Sequence, residues 1–408
     1  MARFDISIPK EGRQRAWWIW IGVLGLLLAV GIFGAIRIFV VGLQATGLSD
    51  QVPWGLWITQ DLSSIATGAG AFTFSAIVYL FRIKKYQPIA RAAVFVGFLG
   101  YTSAMLALAM DIGRPDRFWH PLVYWNVHSV LWEITWCVIL YSIVLVLEFL
   151  PILFENKYFD RWPKLRVYGE MIHKASPVFA AIGLGLSLLH QSSLGATYGV
   201  LSGRAIWYKP SLPVMFILSA VAGGIAMTLL LTIIVSKLNR RQIISRELQF
   251  DISRFAGYAL LAYLYLKIWD WAATSYYSHS PGTTEALNLL QSTTPYTQTF
   301  WWIEIVLGGI VPAVILLSRL RKNDRFTMAA LALVVVGVTV NRWNVTLSGL
   351  IVPPHWSPGV LGGLLSASYL PTWNEIIVSL GIIAYALLAF SFGIKYLPIY
   401  PKEGETSH

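Results

Sequence analysis

Apolar runs of about 20 residues recur from Trp17 almost to the C-terminus, with short polar loops between them, and this rhythm constrains the fold more than any other feature of the chain. At ~1.5 Å per residue, a helix of about 20 residues crosses the ~30 Å hydrocarbon layer of a bilayer. Lipid offers no water to unpaired backbone groups, so each run has to be a helix that satisfies itself. A chain that is 56% hydrophobic and 12% charged also lacks the polar surface of a soluble body. The pattern predicts an all-α membrane protein of ten transmembrane helices, at 17–42, 54–81, 90–111, 126–150, 175–197, 211–236, 254–274, 299–319, 327–347 and 373–394. No small-residue cleavage site follows the first run, which is expected to be a retained helix.

A net charge of +11 raises the question of nucleic acid, but the Lys and Arg residues sit in loops between the runs and report topology instead. Alternating the loops places 24 of them on one face, 4 on the other and 3 within spans. Positive charge marks the cytoplasmic side, so both termini are expected in the cytoplasm and the chain in the inner (cytoplasmic) membrane. The charge-poor face carries the longer loops: 111–125, 275–298 with no Lys or Arg, and 344–372 with Pro353, Pro354 and Pro371. These read either as aromatic belts at the lipid boundary or as a docking surface for an extracytoplasmic partner. The single cysteine, Cys137, lies in an apolar run, so no metal site and no iron–sulfur cluster is expected within this chain.

Ten ionisable groups fall inside the spans near the charge-poor face: Arg37, Asp61, Asp111, Glu133, His190, Lys267, Asp270, Glu304, Arg342 and Glu375. Each costs a few kcal/mol to insert into a bilayer. They are either structural ion pairs, such as Lys267 with Asp270 or Arg342 with Glu304, or the lining of a polar cavity that handles protons and a polar headgroup. His190, followed by Gln191, Ser192 and Ser193, allows three readings: a hydrogen-bond donor between helices, a donor to a quinone carbonyl, or a haem ligand. Haem b takes two facing histidines, and only His128 shares the expected depth of His190, so no haem is expected. The other halves of the spans hold Glu148 and scattered hydroxyls such as Thr73, Ser75, Tyr79 and Thr232, so proton exchange is expected with the outer side.

A weak internal likeness links S-V-L-W-E-I at 129–134 with T-F-W-W-I-E-I at 299–305, each placing a glutamate early in its span. It suggests two four-helix bundles, at 54–197 and 211–347, with the first and last spans outside them. Ten spans, a repeat and buried charges also describe a secondary transporter with a buried charged substrate or ion site, whose helices would be broken near the midplane. Gly68, Gly70, Gly223 and Gly224 are the candidates for such breaks, or for close helix packing.

Six stretches carry a resemblance that runs over roughly residues 15–400: P-W-G-L-W-I-T-Q-D-L at 53–62, D-I-G-R at 111–114, N-V-H-S-V-L-W-E at 126–133, H-Q-S-S-L-G at 190–195, F-W-W-I-E at 300–304 and L-P-T-W-N-E at 370–375. They resemble the NrfD/PsrC-type quinone-interacting membrane subunits, and within them the HybB-type subunit of respiratory uptake nickel–iron hydrogenases. The 113–125 loop is shorter than that hydrogenase likeness implies. The resemblance implies a ten-helix, haem-free anchor that exchanges electrons between an extracytoplasmic, ferredoxin-like iron–sulfur subunit of a catalytic enzyme and the quinone pool, menaquinone or ubiquinone. On that reading Asp61, Glu133 and His190 are the expected catalytic groups, and Gln191, Asp111 and Arg114 join His190 and Asp61 in holding the headgroup. Glu304, Arg342, Asp270, Lys267 and Glu375 form a second cluster, a proton route or an ion-pair network.

Overall fold

The structure is a computed structural model and describes residues 11–204, 206–277, 283–284, 287–288, 292, 296–352 and 367–400. Ten long helices match the ten predicted spans: α1 (Glu11–Val41), α2 (Leu56–Leu80), α3 (Gln87–Asp111), α4 (Val130–Phe154), α5 (Pro163–Gly199), α6 (Leu212–Leu238), α7 (Arg246–Tyr277), α8 (Gln298–Leu317), α9 (Asp324–Ile351) and α10 (Trp373–Tyr396). Among the described residues no strand occurs, and nine of these helices are long and apolar enough to cross a membrane. α7 is not among the nine, since Lys267, Asp270 and its tyrosines dilute a 32-residue helix. The Pro353–Pro354 stretch and the terminal Arg3, Lys10 and Lys402 lie outside the described residues.

Boundaries differ from expectation where a helix continues into water. α5 begins at Pro163, well before the apolar run at 175, because Pro at the first helical position and good helix formers start it among charged residues. α4 begins later than expected, at Val130, where the Ser129 side chain accepts from the Trp132 N–H and caps the helix. The first 13 residues of α8, Gln298–Ile310, are wound as a π-helix.

Packing follows two closed rings. α2, α3, α4 and α5 contact one another in sequence and α5 returns to α2; α6, α7, α8 and α9 do the same. α2 and α6 join the rings, and α1 pairs with α10 on the outer side of α2 and α3. Glycines permit the closest approaches. A Cβ on Gly70 would lie 1.8 Å from the Ala220 carbonyl oxygen, and one on Gly31 2.5 Å from the Gly381 Cα, so α2 meets α6, and α1 meets α10, backbone to backbone. α2 is the least apolar of the nine spans yet the most buried. Protein surrounds it on all sides, which is why it can carry Thr59, Asp61, Ser63 and Thr67 where a lipid-facing helix such as α1 carries Ile19, Leu26 and Val40.

Candidate functional site

His190 sits in the last third of α5 and is fully buried. Its Nδ1 is 2.8 Å from the hydroxyl of Tyr101 on α3, and the Tyr101 ring packs at 4.4 Å on Tyr141 of α4. Those contacts fix the imidazole plane and leave Nε2 buried without a protein partner. Gln191, 2% exposed, likewise has both amide atoms unpaired. Ser103 Oγ, Thr59 Oγ1 and Asp111 Oδ1, on other helices of the same ring, are also buried and unpaired. Buried polar atoms are nearly always bonded, so unpaired atoms on two adjacent side chains, His190 and Gln191, mark a place that can hold polar atoms that are not the protein's own. Asp61 projects from α2 into the same region and interacts electrostatically with Asp111 and Tyr101. Glu133 accepts from Ser193 Oγ at 2.7 Å, one turn from His190. Asp61, Asp111, Glu133, His190 and Gln191 therefore belong to one ring of helices, while Arg114 lies at the surface in a bidentate pair with Asp116.

The second ring holds a different kind of site, a carboxylate met by four donors. Glu304 on α8 accepts from Lys267 Nζ at 2.7 Å, Asn341 Nδ2 at 2.9 Å, Asn344 Nδ2 at 2.6 Å and the Tyr263 hydroxyl at 3.1 Å. The expected direct pair between Arg342 and Glu304 is absent. Arg342, fully buried, donates instead to Asn341 Oδ1 at 2.7 Å and Ser219 Oγ at 2.9 Å and lies 3.7 Å over the Phe216 ring, so the Asn341 amide relays between guanidinium and carboxylate. The expected i,i+3 pair of Lys267 with Asp270 gives way to Lys267–Glu304, since Asp270 is held by Lys209 Nζ at 3.0 Å and Ser211 Oγ at 2.8 Å from the loop before α6. Burial holds the Lys209 ammonium below its ordinary range, and the Asp270 carboxylate opposes this. A small open cleft lined by Lys209, Lys267, Asp270, Asn344 and Trp271 leads to this network.

Glu375 was expected in that cluster, and the structure places it elsewhere. It closes a capping box with Thr372 at the start of α10, accepts from the Gly47 N–H at 2.8 Å, and bonds Tyr369, on the side where α10 meets α1 and α2. Its N-capping bonds are a structural use of a carboxylate. Arg37 donates to Asn374 Oδ1 at 3.2 Å in the same corner.

Between the two rings stands Tyr198. Its hydroxyl meets Thr346 Oγ1 at 3.1 Å, its ring packs on Trp207 and Trp54, and it feels the charges of Asp61 and Asp111 on one side and Arg342 on the other. From His190 toward the charge-rich end, polar side chains line up within the first ring: Tyr101, Tyr141, Ser187 with Thr73 at 3.1 Å, then Glu148 beside Ser176 and Tyr79. Sequence reasoning missed Tyr101, Tyr198, Tyr263, Asn341 and Asn344. The only sequence signal for the two asparagines is that they flank Arg342 on one helix.

A family model described as polysulphide reductase, NrfD, matches residues 44–354. The menaquinone reductase integral membrane subunit of Nitratidesulfovibrio vulgaris is 35% identical, covering 98% of this chain and 97% of the relative. The probable Ni/Fe-hydrogenase 2 b-type cytochrome subunit of Escherichia coli is 27% identical over 95% and 93% of the two chains. The Hdr-like menaquinol oxidoreductase integral membrane subunit of Archaeoglobus fulgidus is 25% identical over 96% of each.

Proposed function

Because this chain belongs to the polysulphide reductase NrfD family, we propose that it is the quinone-reactive membrane subunit of a respiratory oxidoreductase complex, exchanging electrons between an extracytoplasmic iron–sulfur partner and the quinone pool. The single observation that carries the site assignment is that His190 Nε2 and both amide atoms of the adjacent Gln191 are buried and unpaired. Names of relatives that carry menaquinone or menaquinol support the substrate class. Reduction of a quinone consumes two electrons and two protons and turns two carbonyl acceptors into hydroxyl donors. His190 Nε2 and the Gln191 amide are the groups that would meet the carbonyls, and both are donors when a carbonyl faces them. Asp61, Asp111 and Glu133 supply carboxylates within the same ring that would exchange protons with the headgroup. Tyr101 positions the imidazole through the bond to its Nδ1.

Among the described residues no pair of histidines fits a b-type haem. The name of the Escherichia coli relative carries that cofactor, but here His190 is the only buried histidine among the described residues, its Nδ1 faces Tyr101, and His128 and His173 are exposed. The transporter reading loses its structural ground as well, because Gly70 and Gly224 lie within continuous helices and serve contact between α2 and α6.

The test is a pair of activities measured on the purified complex. His190→Ala and Asp61→Asn are each expected to lower quinone-coupled turnover by about 10²-fold or more, the scale of a lost proton-transfer group. Activity of the partner with a soluble artificial electron carrier is expected to survive. Loss of both activities together would mean that these residues hold the complex together.

A further inference from the structure

Two described non-glycine residues have a left-handed backbone, Arg82 with φ 52° and Arg240 with φ 51°. Both stand two residues past the end of a central helix, α2 ending at Leu80 and α6 at Leu238. Helices commonly stop there with glycine, because any side chain in that conformation costs ~1 kcal/mol. An arginine kept at this position in both rings suggests that the guanidinium is used.

Each arginine lines an open pocket at the charge-rich end of its ring. Arg240 lines an open pocket with Lys237, Arg246 and Asp324. That carboxylate is already engaged by Arg246, by Gln249 at 3.0 Å and by Lys237 at 3.7 Å, so among the described residues it leaves Arg240 without a counter-charge. Arg82 lines an open pocket with Gln87, Arg91, His173 and Ser176, and here Arg91 is held bidentately by Glu155 at 2.8 and 2.9 Å. Neither the Arg82 nor the Arg240 guanidinium has a side-chain partner among the described residues. The chain beside each arginine is apolar and outward: Phe81 is 67% exposed and Leu238 66%. A cation beside exposed hydrocarbon at a bilayer boundary matches an amphiphilic anion better than free phosphate does.

We infer that these two pockets hold the phosphodiester headgroups of anionic phospholipids, with Arg82 and Arg240 on the phosphates and Phe81 and Leu238 against the acyl chains. Glycine substitutions separate this from a folding role, because glycine adopts the left-handed backbone without strain. The intact complex would be placed in nanodiscs of phosphatidylcholine with and without phosphatidylglycerol, and thermal midpoints and retained lipids read by calorimetry and native mass spectrometry. For the parent protein, phosphatidylglycerol is expected to raise the midpoint and to be retained, whereas inorganic phosphate in phosphatidylcholine discs does neither. Arg82→Gly/Arg240→Gly is expected to match or exceed the parent in phosphatidylcholine, yet to lose the phosphatidylglycerol increment, with retention about fivefold weaker per arginine. An unchanged increment in the glycine variant would overturn the inference. So would an increment from inorganic phosphate alone, which would make these sites for free phosphate.

Discussion

Tyr101 decides what His190 can do, because a phenol on Nδ1 fixes the ring and leaves Nε2 as the free face. Tyr101→Phe keeps the ring packing and removes that bond. It is expected to lower quinone-coupled turnover about tenfold and to alter its pH profile, with folding intact, as a positioning residue should; a profile unchanged from the parent would assign Tyr101 to packing alone. Glu304 behaves differently, since four donors converge on it. Removing one partner of a buried ion pair costs about 3–5 kcal/mol, so Glu304→Ala is expected to lower thermal stability far more than His190→Ala does, as melting of the two purified variants would show. His190, Asp61 and Glu304 were legible in the sequence because an ionisable group in an apolar run stands out against its cost. Tyr101, Asn341 and Asn344 were not, because tyrosine and asparagine are inexpensive enough in a membrane bundle to carry no signal until their partners are known. Glu375 misled for the converse reason: its depth matched the cluster, but its carboxylate is spent on capping α10.

α2 sets the packing of both rings, and Gly70 sets how closely α6 can approach it. Gly70→Val would drive a branched side chain into the Ala220 backbone and is expected to destabilise the protein by more than the ~1–3 kcal/mol typical of overpacking, because backbone cannot rotate away as a side chain can. Gly22→Val on α1, where a Cβ meets nothing within 4 Å, is the matched control, expected to leave the melting temperature unchanged. Helices themselves were legible from the apolar rhythm, but their ends were not wherever a helix runs on through charged residues, as α5 and α7 do. The alignment of Tyr101, Tyr141, Ser187, Thr73 and Glu148 was equally hidden, since these residues lie on four helices whose rotation about their axes no periodicity reports. We propose that this alignment offers a second proton route beside the expected exchange with the outer side. Glu148→Gln is expected to slow proton uptake from the charge-rich side at least tenfold in vesicles carrying a pH dye on each side, and uptake unaffected by the change would return the exchange to the other face.

At the scale of the whole molecule, the unequal loop charges and the two rings give one arrangement: a charge network centred on Glu304 in α6–α9, the polar groups of His190 and Gln191 in α2–α5, and Tyr198 between them. From the loop charges we propose that Lys85 and Arg241 face the cytoplasm and Thr283 the opposite side. Cysteines at these positions are expected to react with an impermeant thiol reagent from those sides only. The count of spans was legible because each one has to bury its own backbone, whereas the identity of the enzyme partner was not, because it is written in surface loops without a motif. The claim on which the rest depends is that the headgroup of a quinone sits against His190 and Gln191, and the most direct measurement is photo-crosslinking with an azido-quinone followed by peptide mass spectrometry. Labelling is expected on peptides that contain Asp61, Tyr101 or His190–Gln191, and to disappear when excess unlabelled quinone is added. Competable labelling confined to peptides of α7, α8 and α9 around Glu304, with the His190 peptide unmodified, would contradict the account.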